Sequence, residues 1–342
     1  MPKIHVLSPH IANQIAAGEV VERPCSIVKE LVENAVDAHA SAITIEIENG
    51  GIDRIRIVDN GQGIADEDCE TAFLRHATSK INSADDLSRI ATLGFRGEAL
   101  ASIAAVSRVS LITRTADAEL GTQLLYEGGV QKEHKRVGGV PGTTIEVTNL
   151  FYNVPARLKF LKSARSESGA IGDYVAKAIL SLPNVAFQFI SNAKTVYRST
   201  GDGSLKNALV AVYGVECVPN LCPVAFDDGY LKIDGFVGTP ELSRPNRMGQ
   251  SFFLNGRIIR SAALSAALSR AFDTRLMIGR YPFAVLTMQI ALAEVDVNVH
   301  PSKLEVRFCR RKPRYGYTVA NTRKKVGSKY EQFVVAFLPS VD

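Results

Sequence analysis

Between residues 24 and 38 the apolar residues Val28, Leu31, Val32, Ala35 and Val36 recur at helical spacing, and Pro24 suits a first turn, so the pattern predicts a helix. At about 100° per residue, with Glu30 as zero, Glu33, Asn34 and Asp37 fall within about 60° of it, and Val28, Leu31, Val32 and Ala35 gather on the opposite side. The next segments, "AITIEIENGG" and "IDRIRIVDNG", alternate apolar and polar residues and end in turns, as strands do. "GEALASIAAVS" predicts a helix opened by glycine, and "RVSLITRT", "TTIEVTNL" and "VAFQFIS" predict further strands. This is a mixed α/β layer structure with hairpins and not a regular βαβ array. A turn-rich break, "STGDGS", occupies 199–204. Beyond it the pattern predicts a helix ("LKNALVAVYG"), two strands ("LKIDGFVGT", "QSFFLNG"), a second helix ("SAALSAALSRAF") and two more strands ("FAVLTMQIALA", "VDVNV"). We therefore expect one domain over 1–203, a second over 204–308 and an atypical basic tail over 309–342.

Length agrees with two domains, since 342 residues exceed the size at which one core stops growing, about 250–300 residues. Apolar residues at 46% and charged residues at 22% are ordinary for a globular chain. "MPKIHVLSPH" has no apolar signal region, and the longest apolar run, 283–293, is far short of the roughly 20 residues a membrane helix needs. No membrane role is expected. Five scattered cysteines suggest reduced thiols and a cytoplasmic setting, and the Cys217/Cys222 pair lacks the second ligand pair that zinc would require. The net charge of +5 is unevenly placed: residues 309–342 hold eight Lys/Arg and two acids, +6, which leaves −1 for the rest. The basic surplus is a property of the tail.

The polar face of the first helix raises the chemical question. A half-buried helix with a solvated acidic face is one reading. Yet no Lys or Arg occurs from 30 to 39, and an uncompensated acid face suits a divalent cation. Mg²⁺ takes hard oxygen ligands and keeps several waters, so the Asn34 amide oxygen plus phosphates suffices, and a glutamate one turn away can orient or deprotonate an attacking water. Asp59, at the strand end in "RIVDNGQGI", is placed to accept from an exocyclic amine such as that of adenine; "DNG" alone also suits a hairpin turn. In "LGFRGEALASI", Gly94 and Gly97 bracket Arg96 before a helix whose first N–H groups can meet phosphate. No G-x-x-x-x-G-K-[ST] occurs, so this is not a P-loop chain.

Taken in order, "E-x-x-x-N-x-x-D-A", "D-x-G-x-G" and "G-F-R-G-E-A-L" resemble the Bergerat-fold ATPases: DNA gyrase B subunits, ninety-kilodalton heat-shock chaperones, histidine kinases and MutL proteins. Within that group "NQIAAGEVVERP", "KELVEN", "RHATSK", "GFRGEALASI", "LFYNVPARLKF" and "VDVNVHPSKLEVRF" are similar to the MutL type, over residues 3 to 308. The resemblance implies an α+β chain: a Bergerat-fold domain of mixed sheet layered with helices, then a ribosomal-protein-S-five-like α/β domain. It implies Glu30 as general base, Asn34 as ligand to Mg²⁺, and Asp59 as the adenine reader, with Gly63 and Thr143 nearby. It implies Lys80, Gly94, Arg96 and Gly97 in a lid over the phosphates, and Lys303 of "HPSK" at the γ-phosphate of ATP. Asp37 is expected to support these groups without touching nucleotide. His300 reads as structural. Arg244, Arg247, Arg257, Arg260 and Arg270 suit either DNA or plain solvation.

The expected activity is a slow, Mg-dependent ATPase of DNA mismatch repair. ATP orders the lid and the N-terminal arm, two copies pair as a homodimer, and recognition by a MutS-type protein is coupled to a downstream nuclease or helicase on DNA. The alternatives are a nucleotide-gated scaffold with incidental turnover and a type II topoisomerase ATPase subunit. Two departures stand out. The family continues into a linker and a C-terminal dimerisation domain, so an N-terminal fragment or truncated product is expected. After "EVRF" the family continues as an amphipathic helix, whereas "CRRKPRYGYTVANTRKKVGSK" lacks that periodicity; an altered reading frame, a divergent end and a DNA-binding tail are all open.

Overall fold

The computed structural model describes residues 9–79, 97–229, 231–272, 275–290, 295–296 and 307–308. The chain divides into two compact units, Met1–Val212 and Tyr213–Asp342. The first contains α1 (Pro9–Val20), α2 (Pro24–Asp37), β1 (Ala42–Glu48), β2 (Arg54–Asp59), α3 (Asp66–Cys69), α4 (Ala99–Ala105), β3 (Arg108–Arg114), β4 (Gly121–Glu127), β5 (Val130–Val137) and β6 (Gly142–Thr148). It continues with α5 (Pro155–Phe160), α6 (Ala164–Ser181), β7 (Ala186–Ser191) and β8 (Lys194–Arg198). The strands form one sheet in the order β5-β4-β3-β6-β2-β1-β7-β8. Neighbours are antiparallel except β1 and β7, which are parallel.

Register explains why one sheet face is covered. Ile45 lies opposite Ile57 and Phe189, Ile57 opposite Ile145, and Leu111 opposite Ile145 and Leu124. This apolar row crosses six strands, and every member is buried. Helix α2 lays Ile27, Val28, Leu31, Val32 and Ala35 into the core, and α6 contributes Ile171, Val175 and Ile179. Each such side chain, fully buried, contributes about 1.5–3 kcal/mol. The opposite sheet face carries a charge ladder in which Arg54 meets Glu146 (2.7 Å), Glu48 (3.0 Å) and Glu46 (3.4 Å), and Arg56 also meets Glu46 (3.3 Å). Polar residues at alternate positions of β1, β2 and β6 therefore belong to one solvated layer.

The sequence pattern did not anticipate α6, although it is 18 residues long. Its apolar stripe begins only at Ile171, and its first half is small and polar. That half is fixed by the Ser163 cap, whose hydroxyl accepts from the Ser166 N–H (3.3 Å), and by the buried Glu167. The hairpin β4–β5 was also unforeseen, because β5 is a charged edge strand with an exposed, non-alternating pattern.

Helix α7 (Leu205–Tyr213) ends at the division between the units. The second unit then runs through β9 (Leu221–Asp227), β10 (Leu231–Gly238), β11 (Gln250–Leu254), β12 (Arg257–Ile259), α8 (Ala262–Phe272), β13 (Ala284–Ile290), β14 (Val295–Asp296) and β15 (Arg307–Phe308). Five strands form a sheet in the order β12-β11-β13-β10-β9, with β11 and β13 parallel. Leu268 and Phe272 of α8 pack on Phe252, Leu254, Ile233 and Leu286. Gly235 interrupts β10 with φ +148°, and a side chain there would strike the Val285 carbonyl of β13. Of the expected "VDVNV" strand only Val295–Asp296 lies among the described residues, paired to β15.

Candidate active site

The site is built on α2. Pro24 occupies the first turn, and Arg23 precedes it in extended conformation without capping the helix by its side chain. That side chain instead reaches Glu167 of α6, to which Nε and Nη2 donate at 3.0 and 2.8 Å. Glu167 is only 1% exposed and also accepts from the Lys162 N–H (3.1 Å). This pair fixes where the helix starts. Along the helix, Glu30, Glu33, Asn34 and Asp37 are half-buried on the polar face, while the apolar side is buried, as the periodicity predicts. One expectation fails. The acid face has a cation, because Lys29 lies 3.8 Å from Glu33 at i,i+4. Behind the face stands Tyr174 of α6, whose hydroxyl donates to the Lys29 carbonyl (3.4 Å). Burial, with the nearby Glu33, Cys25 and Glu30, raises its phenol well above the usual range, so it remains a neutral hydroxyl.

The other wall is the end of the sheet. Asp59 closes β2, and its carboxylate accepts from the Gly61 N–H (2.9 Å). Burial raises this carboxyl, and the Gly61 and Thr143 backbones partly offset the effect. Thr143 lies opposite Asp59 in β6 and is buried. Its hydroxyl is 3.0 Å from that of Thr113, which donates to the Gly142 carbonyl (3.1 Å) and accepts from the Ile64 N–H (2.8 Å). Thr113 thus clasps its own strand β3 to β6 and to the "DNGQGI" loop. Nothing in its own segment marks it; only the β3–β6 register, Thr113 opposite Thr143, reveals it. Gly63 has φ +72°, and a side chain there would meet the Arg114 carbonyl. The loop is tied to the helix by Gln62, whose N–H donates to the Ala38 carbonyl (2.9 Å). The C-terminal end of α2, the loop and Asp59 are therefore held together.

Gly97, with φ +60°, sits against the Ala77 backbone directly before α4, which packs on α2. Glu98 meets His76 at 3.2 Å beside it. Lys80, Gly94, Arg96 and Lys303 lie outside the described residues. The structure thus joins Asp59, Gly63 and Thr143 at the end of the sheet, ties that end to the end of α2, whose polar face carries Glu30 and Asn34, and sets Gly97 next to α4. Among the described residues no three His, Cys, Asp or Glu side chains are grouped to hold a metal. No helix among them is long and apolar enough to cross a membrane.

Residues 23–153 match the family described as "Histidine kinase-, DNA gyrase B-, and HSP90-like ATPase", and residues 209–324 match "DNA mismatch repair protein, C-terminal domain". The MutL protein of Agathobacter rectalis is 49% identical over 308 residues, 90% of this chain and 47% of that protein. MutL of Halalkalibacterium halodurans is 50% identical over 310 residues, 91% of this chain and 48% of its own length. MutL of Limosilactobacillus reuteri is 44% identical over all 342 residues, 100% of this chain and 50% of that protein. The chain spans about half the length of the curated relatives it matches. This last match and the second family model run past residue 308 into the basic end, so the likeness extends further than the sequence signatures alone.

Among solved structures, the N-terminal domain of a DNA repair protein superposes with TM-score 0.74 over 87% of this chain and 92% of its own, at 23% identity, which speaks to fold alone. The Aquifex aeolicus MutL ATPase domain complexed with ADP gives TM-score 0.62 at 27% identity, over 80% of this chain and 93% of its own. The fold is α+β: a histidine-kinase- and gyrase-like ATPase domain with its large mixed sheet, then the mismatch-repair domain with its ribosomal-protein-S-five-like fold. The second domain sets the topoisomerase alternative aside. The chain belongs to the MutL family of DNA mismatch repair proteins, within the part that contains the ATPase domain.

Proposed function

We propose that this chain binds ATP with Mg²⁺, hydrolyses it slowly, and uses the nucleotide as a conformational switch in DNA mismatch repair. The observation that carries this reading is the continuity of α2 with the sheet end: Glu30 and Asn34, one turn apart, share a face that joins the Asp59–Thr143 end through Ala38 and Gln62. The Aquifex MutL ATPase domain of like fold holds ADP, which supports nucleotide as the ligand.

Each residue then has a task. The ionised Asp59 accepts from the adenine amine, with Gly63 allowing close backbone approach and Thr143 completing that wall. The Asn34 amide oxygen is a hard donor of the kind Mg²⁺ takes, and one protein ligand suffices where phosphates supply others. The cation, when bound, neutralises phosphate charge. Glu30 removes a proton from the attacking water. Gly97, with Lys80, Gly94 and Arg96, forms the lid, and Lys303 meets the γ-phosphate. We place the domain boundary at 203/204 and the basic tail at 309–342. In the full cycle, nucleotide binding drives two copies to pair and links a MutS-type protein to a nuclease or helicase on DNA, in the cytoplasm.

The test separates binding from turnover. Glu30→Ala should lower ATP hydrolysis by about 10²-fold or more while ATP affinity stays within about twofold, because a general base acts in the transition state. Asn34→Ala should instead weaken Mg·ATP binding itself. Equilibrium binding of labelled ATP beside steady-state hydrolysis reads both, and a parallel loss of both quantities in Glu30→Ala overturns the base assignment.

A further inference from the structure

The second unit carries a surface that the nucleotide chemistry does not use. Strands β11 and β13 run parallel with Gln250 opposite Ala284, so the loops leading into them, 243–249 and 275–283, emerge at one end of the sheet. These loops are tied together. The Arg244 N–H donates to the Tyr281 carbonyl (2.9 Å), and the Tyr281 N–H returns the bond (2.8 Å). The Arg280 guanidinium donates to the Ser243 hydroxyl (3.1 Å) and to the Ser243 carbonyl. Arg247 lies over the Tyr281 ring, 5.3 Å from its centre.

On this fixed base three large apolar side chains face outward. Met248 is 62% exposed, Met277 77%, and Ile278 fully exposed. A turn closed by the Arg280 N–H on the Met277 carbonyl (3.1 Å), with Gly279 at φ +80°, carries Ile278 at its tip. Single exposed apolar residues are ordinary. Three on two loops locked to each other form an apolar tip whose backbone is already ordered, which lowers the cost of binding to the ordering of the side chains.

Charge defines what the tip would bind. Residues 242–293 contain seven arginines, no lysine and one acid, Asp273. Arginine pairs with carboxylate and phosphate alike; the exposed Met248, Met277 and Ile278 decide between them, because protein interfaces are enriched in Met and Arg, whereas nucleic-acid interfaces are polar and wet. Two of the arginines nearest the tip are held, Arg280 on Ser243 and Arg247 on Tyr281, which suits fixed pairing with carboxylates. We infer that the Met248/Met277–Ile278 tip docks a partner protein through an acidic segment with an apolar anchor, the arginines meeting the carboxylates and the tip meeting the anchor. This inference is independent of the nucleotide reading.

The test is a selection of random displayed peptides on the immobilised 342-residue chain, followed by anisotropy measurements with the synthesised winners. Winners should combine Asp or Glu with a large apolar residue. Ile278→Asp should weaken them at least about tenfold, since it removes an apolar contact and adds a repelling carboxylate. Arg247→Ala should weaken them about fivefold, with folding confirmed by an unchanged thermal midpoint. The inference is overturned if winners lack acids, if no winner depends on Ile278, if Ile278→Asp instead weakens a 30-base-pair DNA duplex by the same factor, or if it abolishes only self-association in sedimentation, which would make a second copy the occupant.

Discussion

In the proposed site Asp59 would trade stability for binding. Its carboxyl is raised by burial, so the folded chain holds that proton more tightly than the unfolded chain does. The group therefore favours the fold at low pH, and that contribution fades as pH rises through the raised value. Reading adenine requires the ionised form, which the fold disfavours. ATP affinity should therefore fall on acidification, starting above the pH at which an ordinary aspartate protonates. Asp59→Asn should remove this acid dependence, weaken ATP binding by about 10–100-fold through loss of a charge-assisted bond, and raise the thermal midpoint of the nucleotide-free protein. Calorimetric titration across pH, beside thermal melts, checks all three. A variant that binds ATP normally would remove Asp59 from the site. Thr113 is the counterpart in structure: its hydroxyl joins Gly142, Thr143 and Ile64, so the wall keeps its shape without depending on the charge of Asp59.

At the scale of elements, α2 depends on a partner that its own sequence does not contain. Arg23→Met would take two donors from the Glu167 carboxylate, 1% exposed, and leave it the Lys162 N–H. Breaking a buried pair costs about 3–5 kcal/mol, and since Arg23 is one-third exposed the lower end, about 3 kcal/mol, is expected. The double variant Arg23→Met with Glu167→Leu should recover much of that loss, because no carboxylate is then left buried. Urea unfolding of the two singles and the double gives the coupling directly, and additive losses would show that the pair does not anchor the helix. Its place in the fold also marks how far the sequence could be read. Helix α2 and strands β1, β2, β3 and β6 were legible because their apolar residues repeat at 3.6 or 2 over their whole length. Helix α6 was not, since its polar first half is held by Ser163 and by the pairing of Glu167 with a residue 144 positions away. Strand β5 was not, since an exposed edge needs no alternation. The same division holds in the proposed site. Local pattern points to Glu30, Asn34 and Asp59, and the family resemblance to Gly63 and Thr143, whereas Tyr174, Thr113 and Glu167 act across register and helix packing.

For the whole molecule the distribution of charge separates two interactions. The stretch 242–293 is rich in arginine with an apolar tip, and fits a protein. Residues 309–325 hold seven Lys/Arg and no acid, without a large apolar cluster, and fit a phosphate backbone. If the tail is the DNA contact, each phosphate it neutralises adds close to one unit to the slope of log affinity against log salt. Deleting 309–342 should then weaken binding to duplex DNA and flatten that slope by several units. Ile278→Asp should leave the slope unchanged, because it removes no cation that could neutralise a phosphate. ATP hydrolysis without DNA should hardly change on deletion, since Glu30, Asn34, Asp59, Thr143 and Lys303 all precede 309. Fluorescence anisotropy with a short duplex at several salt concentrations reads the slope. An unchanged slope would shift the DNA contact to the arginines between 244 and 270 and count against reading the tip as a protein site. A truncated chain that fails to fold would show that the tail is part of the second unit's structure, an outcome with some precedent in the family model's reach to residue 324.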